Sequence, residues 1–292
     1  MPLNFMRHAR ITLVVRCCSN ALALTMLCAS VQAQMALPRH APYPGGVAVV
    51  KLGEVDAPVM DVAYGGKRVL TVKLDDGLFG IIGIPLDATP GPQKLHIGAG
   101  QGTVQVVYET GFEITPKAYT AQHLKIDPRF LQPSAADQKR IERDQPLIDA
   151  AKQHWSDALP ATFALDLPAS GRLSARFGER RVLNGKESAA HAGLDLAIGT
   201  GTPLRTAAAG RVIATDDYFY SGKSVFVDHG QGFITLYIHM SRIDVKAGDR
   251  VERGGVLGLS GASGRVTGPH LHWSVLLNGV YVDPELFLKA GR

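Results

Sequence analysis

Gly258-Leu259-Ser260-Gly261-Ala262-Ser263-Gly264-Arg265-Val266-Thr267-Gly268-Pro269-His270-Leu271-His272-Trp273-Ser274-Val275 is a glycine-punctuated loop running into a short β-type segment that carries two histidines. Residues two apart on a strand share a face. His270 and His272 therefore project side by side, and Leu271 turns to the other face. Imidazoles paired in this way can grip a metal ion or handle a proton beside one. A histidine pair alone is a weak signal, and the rest of the chain has to support it.

The support lies upstream, in His191-Ala192-Gly193-Leu194-Asp195. His191 and Asp195 are four apart, a spacing that brings them to one face of a helix or of a strand. The glycine and the β-rich surroundings favour a loop running into a strand. One histidine, one carboxylate and a distant second histidine make a set suited to zinc, with three protein ligands and a fourth position left for water. Between the two sites, Val225-Phe226-Val227 and Phe233-Ile234-Thr235-Leu236-Tyr237-Ile238-His239 flank Asp228-His229-Gly230-Gln231-Gly232 and read as a hairpin. Alternation places Phe233, Thr235, Tyr237 and His239 on one face. His229 falls in the turn, where a histidine is ordinarily solvated or structural.

Working outward, residues 161–292 read as a glycine-rich antiparallel β domain. Residues 34–127 read as a second, smaller β domain, with short runs at Val47–Val50, Lys67–Val72, Phe79–Ile84 and Val104–Tyr108. Turn signals at Gly65-Gly66, Asp76-Gly77 and Pro90-Gly91-Pro92 separate them, a pattern that suggests a small β-sandwich. Residues 128–160 read as a helical connector. Ser134 caps its first helix with Asp137 three residues on. Pro146 is expected to break or kink that helix, with a second piece running through Leu147, Ile148, Ala151 and Trp155. His96, His123 and His154 are isolated and read as structural. The fold class is mostly β.

The first 33 residues read as an export signal. Arg7, Arg10 and Arg16 form a positive start, Ala21 to Ala29 an apolar run, and Val31-Gln32-Ala33 a small-residue cleavage site. The run is too short for a membrane span. Cys17, Cys18 and Cys28 all precede Ala33, so the processed chain has no disulfide and no thiolate ligand. The formal net charge of +5 includes the three signal arginines, so the basic balance is no argument for nucleic-acid binding. No repeats, dinucleotide fingerprint or P-loop occur.

His191-x-x-x-Asp195, Tyr237-x-His239 and His270-x-His272 stand in the order and spacing of the lysostaphin/LytM-type zinc metallopeptidases, which cut peptide bonds in peptidoglycan. The resemblance runs from about Phe177 to Phe287. It includes Phe177-Gly178, Gly199-Thr200-Gly201-Thr202-Pro203 and Gly268-Pro269-His270-Leu271-His272. It implies a C-terminal metallopeptidase domain holding one zinc ion per chain, with His191, Asp195 and His272 as ligands. It implies catalytic roles for His239 and His270, one handling the proton of a zinc-activated water and the other steadying the oxyanion or protonating the leaving amine, with the division between them open. Phe177 to Gly185 would border the substrate groove, with Arg181 and Asn184 as candidate substrate contacts. Tyr237 is a further candidate, although core packing is its simpler role. Met240 and Ala262-Ser263 depart from the family pattern at positions away from the inferred metal.

Val245 to Gly255 resembles the turn region of biotinyl and lipoyl carrier domains, which implies a related flattened barrel. No lysine stands in a carrier's context. The expected protein is an exported zinc endopeptidase acting on peptidoglycan stem peptides or cross-links, periplasmic rather than wall-bound, with secretion as the alternative. Its expected partners are peptidoglycan peptides and protein regulators, without nucleic acid or a membrane span in the mature chain. Two competing readings are a wall-binding module that activates another hydrolase without catalysis of its own, and a secreted elastase-like or lytic endopeptidase.

Overall fold

The computed structural model describes residues 35–57, 59–101, 104–125, 133–187 and 189–289. The expected export signal lies outside the described residues. The amino-terminal part holds β1 (Val47–Gly53), β2 (Val59–Tyr64), β3 (Lys67–Arg68), β4 (Leu70–Leu74), β5 (Gly77–Gly83), β6 (Gly91–Gln101), β7 (Val104–Ile114) and β8 (Ala121–Leu124). Helix α1 (Ala135–Lys152) follows. The remainder holds β9 (Arg172–Ala175), β10 (Arg180–Leu183), β11 (Lys186–Glu187), β12 (Leu194–Ala197), β13 (Pro203–Arg205), β14 (Gly210–Tyr218), β15 (Gly222–Gly230), β16 (Phe233–Ile243), β17 (Arg250–Val251), β18 (Val256–Ser260), β19 (Leu271–Leu277) and β20 (Val280–Val282). The fold is mostly β, with one α-helix among the described residues.

Strands β1-β5-β4 form one sheet and β3-β2-β6-β7 another. Ala48, Leu52, Val69, Leu78 and Ile82 from the first side meet Val62, Leu95, Ile97 and Ile114 from the second in one buried cluster, which is the expected sandwich. The large sheet runs β17-β14-β15-β16-β19-β12-β9, with β13, β18 and β20 attached at its sides. It does not close on itself, so the relation to a flattened barrel stops short of closure.

One face of this sheet is the main core, built on Trp273, Tyr237, Phe233, Val225 and Val275. Val47, Leu70, Val72 and Ile81 of the amino-terminal sandwich belong to that same cluster. From Gln34 on, the chain clusters as one compact unit. The other face of β16 and β19 carries Ile234, Leu236 and Leu276, covered together with Phe226 by Ala151 and Ile148 of α1. Farther along the same face lie Ser274 and His272 of β19, with His270 immediately before the strand.

Helix α1 runs unbroken through Pro146, contrary to the expected break, and ends before Trp155. A proline removes one backbone hydrogen bond. Contacts in the turns just before that point hold the helix in place: Arg140 donates to the Asp217 carbonyl at 2.7 Å, and the buried Asp144 accepts from the Phe219 N–H at 2.7 Å. Its start is the full capping box between Ser134 and Asp137. No described helix is long and apolar enough to cross a membrane.

Candidate metal centre

Antiparallel pairing assembles the site. In β12 and β19 Asp195 stands directly opposite His272, between the pairs Leu194 with Trp273 and Leu196 with Leu271. The leucines, Trp273 and Leu271 point to the core, so the intervening pair points to the other face. Asp195 and His272 thus meet because both strands alternate in step. His191, in the loop before β12, is held by two backbone bonds with the Gly178–Glu179 turn: its N–H donates to the Glu179 carbonyl at 2.9 Å, and its carbonyl accepts from Gly178 at 2.8 Å.

His191 Nε2, Asp195 Oδ1 and His272 Nδ1 form a triangle with three edges of 2.9 Å. Tetrahedral zinc with bonds of about 2.0–2.1 Å separates its ligand atoms by about 3.3 Å, within a few tenths of an ångström of these edges. The outer ring nitrogens fix the fit. His191 Nδ1 lies 2.8 Å from the Arg176 carbonyl, which can only accept, so Nδ1 carries the proton and Nε2 is bare in the neutral ring. His272 Nε2 lies 2.9 Å from Ser274 Oγ. The edge between His191 and Asp195 then sets a lone pair against a carboxylate oxygen, an arrangement that a cation satisfies. The donor set and its outer partners therefore fit a divalent metal.

Burial pushes the Asp195 carboxyl up, but its two imidazole neighbours, His191 and His272, outweigh it and hold the group far below the usual carboxylate range. It is ionised at neutral pH. Burial pushes His272 down, which keeps it neutral and able to ligate.

His270 Nδ1 donates to the Gly268 carbonyl at 2.9 Å, and its Nε2 stands 3.9 Å from Asp195 Oδ1. His239 Nδ1 donates to the Ser263 carbonyl at 3.0 Å. Its ring centroid is 4.8 Å from that of His270 and 6.2 Å from that of His272. Burial, then the charges of His270 and His272, push His239 down to about 4. Both rings therefore leave Nε2 as the nitrogen able to exchange a proton beside the triangle. A groove of about 430 Å³ joins these five side chains to Ser174, Arg265 and Thr267.

His239 reaches this face against the simple alternation. Ile238 pairs with His272 and Tyr237 with Trp273, so a regular strand would send His239 to the core with Tyr237. At His239 the backbone turns left-handed, with φ of 64°, and the pairing to β15 slips between Val225 and Lys223. The bulge turns the imidazole over to the groove. The expected shared face of Tyr237 and His239 is thus corrected. Tyr237 is fully buried, and its hydroxyl accepts from the Ala207 N–H at 2.8 Å, so it lies in the core and not in the groove. His229 stands inside β15, not in the turn: Nδ1 donates to the Ala209 carbonyl and Nε2 meets Thr235 Oγ1, both at 2.8 Å.

Arg181 lies on β10, opposite Gln122 of the parallel β8. Asn184, exposed and with φ of 52°, forms with Gly185 the turn between β10 and β11. The carbonyls of Arg176, Ser263 and Gly268 and the Ser274 hydroxyl, which orient the four imidazoles, escape the sequence reading. Only Ser274 was findable there, being two residues beyond His272 on the same face. Gly193 is also spatially required: a β-carbon on it would stand 2.7 Å from His272 Nε2 and 2.8 Å from Ser274 Oγ.

Residues 189–284 match the model of peptidase family M23, and residues 40–117 match that of the peptidase family M23 N-terminal domain. The chain is 44% identical to a solved peptidase M23 structure from Pseudomonas aeruginosa, with a TM-score of 0.72 over 86% of this chain and 97% of that one. It is 44% identical over 109 residues to the Vibrio cholerae peptidoglycan DD-endopeptidase ShyA, covering 37% of this chain and 25% of that protein. Over 116 residues it is 39% identical to ShyC of the same organism, also a peptidoglycan DD-endopeptidase, covering 39% of this chain and 27% of that protein. The chain thus spans about a quarter of the length of these curated relatives. With a homologous solved structure matched along nearly its whole length and both family models in sequence order, the chain belongs to peptidase family M23.

Proposed function

We propose that the chain is an exported zinc endopeptidase that hydrolyses peptide bonds in peptidoglycan stem peptides or cross-links. The observation that carries this reading is the triangle of His191, Asp195 and His272, closed to 2.9 Å with no proton for one edge. These three would hold one zinc ion, which when bound supplies Lewis-acid polarisation to water and to a carbonyl. His239 and His270 stand next to the triangle with Nδ1 tied to backbone carbonyls. Each can accept a proton at Nε2 and return it to a leaving amine. Either ring in its protonated form also donates to a developing oxyanion. Arg181 on β10 and Asn184 in the turn after it are assigned to the groove border, in the segment that leads to His191. The peptidoglycan DD-endopeptidases ShyA and ShyC support the substrate class, and a peptidoglycan substrate supports an envelope location, periplasmic in this reading.

The test is digestion of purified sacculi by the protein, with and without a chelator, followed by mass analysis of the fragments. Expected is the release of peptides cut at one type of bond, suppressed by chelator and restored by zinc. Intact sacculi in the presence of stoichiometric zinc would overturn the reading.

A further inference from the structure

The groove is lined by one arginine, Arg265, five residues before His270 on the same loop. Among the described residues no carboxylate, carbonyl or hydroxyl accepts from its guanidinium. The group sits 5.9 Å from the Phe219 ring centroid and is half-buried. Asp137 lies near enough to feel that charge, but its carboxylate is engaged by the Ser134 N–H and hydroxyl, at 3.0 and 2.8 Å. A half-buried guanidinium without an acceptor offers five donors in a fixed fork, a geometry that matches a carboxylate.

Its position is not left to a loose loop. The Arg265 N–H donates to the Tyr220 carbonyl at 2.9 Å, and Ser263 Oγ accepts from the Lys223 N–H at 2.9 Å. Gly222 and Gly264 approach so closely that a β-carbon on Gly264 would stand 2.4 Å from the Gly222 nitrogen. The tip of the β14–β15 hairpin therefore clamps the loop and adds the paired rings of Phe219 and Tyr220, 4.8 Å between centroids. Tyr220 is 52% exposed, which leaves an aromatic surface for a ligand beside the charge. Asp195 is the one carboxylate in the described lining of the groove, and its Oδ1 already faces His191 and His272.

We propose that Arg265 is a specificity-determining residue that receives a carboxylate of the peptide, borne by a residue next to the scissile bond. The preferred substrates are then anionic at that position, and amidation of that carboxylate weakens recognition. This rests on the hydrolase reading above and narrows its substrate class.

The test uses the zinc-loaded full chain and two synthetic branched peptides in one tube, identical except for a free carboxylate or a carboxamide beside the cleaved bond. Competition reports a ratio of kcat/KM values that does not depend on how much protein is folded. The wild type is expected to favour the carboxylate by roughly tenfold to a hundredfold, the scale of a charge-assisted hydrogen-bonded pair. In Arg265→Gln the ratio should fall to about one. Arg265→Lys, which keeps the charge and loses the fork, should fall between. A wild type indifferent to amidation, or an Arg265→Gln variant that keeps the preference, overturns the assignment of Arg265 alone. Failure of the wild type to cut either peptide overturns the hydrolase reading with it.

Discussion

Each imidazole of the site has one nitrogen committed to an outer partner, and that division separates ligands from proton carriers. Replacing His191, Asp195 or His272 by Ala should abolish stoichiometric zinc binding, measured by metal analysis after dialysis. Replacing His239 or His270 by Ala should leave one zinc per chain and lower kcat by about 10²–10⁴, the usual contribution of a placed acid or base. Retained turnover in His270→Ala would remove that residue from the chemistry. The pairing of His270 with His272 was legible in the sequence because strand alternation needs no tertiary knowledge. The orientation of His239 was not, since a left-handed φ at a non-glycine residue is imposed by the strands around it. Away from the site, burial pushes His229 below its ordinary value. An unfolded histidine takes up its proton near pH 6.5, whereas folded His229 resists it. Its contribution to stability is therefore complete above about pH 6.5 and lost as pH falls below that. Urea unfolding at pH 7.5 and 5.5 should show a smaller acid-induced loss in His229→Gln than in the wild type.

At the scale of elements, β12 and β19 must approach closely for Asp195 to meet His272, and Gly193 permits it. Gly193→Ala would drive a methyl group against His272 Nε2 and the Trp273 carbonyl. The expected result is a folded protein with zinc affinity lowered about 10- to 100-fold, the scale of a lost outer partner, checked by competition with a chromogenic chelator. The strands of the sandwich and the hairpin of β15 and β16 were readable from alternation and turn residues. The continuity of α1 was not, because local propensity reports the hydrogen bond that Pro146 removes but not the grip of Asp144 on the Phe219 N–H. Ser263 was likewise seen as an incidental departure, since a backbone carbonyl leaves no mark in sequence.

For the whole molecule, the separation into two β regions was apparent from their turns, but their common core was not. Alternation tells that Ile81 is buried, not which segment buries it. In the structure Ile81 is fully buried in the cluster that includes Trp273 and Phe163. Ile81→Ala should therefore destabilise the peptidase half itself, by about 2–5 kcal/mol, and tryptophan fluorescence and zinc release should report one coincident transition on unfolding. Two separate transitions would show that the regions fold independently.

The side chains that cross between the two regions have a consequence for solvent hydrogen exchange. The Thr71 N–H donates to Gln231 Oε1 at 2.9 Å, and the Gly83 N–H to Asn278 Oδ1 at 3.2 Å. Gln231 and Asn278 both belong to tight turns of the large sheet, with φ of 50° and 53°. Neither amide can be released by fraying of the sandwich alone while those turns hold. Deuterium uptake at Thr71 and Gly83 should thus follow the slowest-opening protons of the chain, making these two positions reporters of when its halves part.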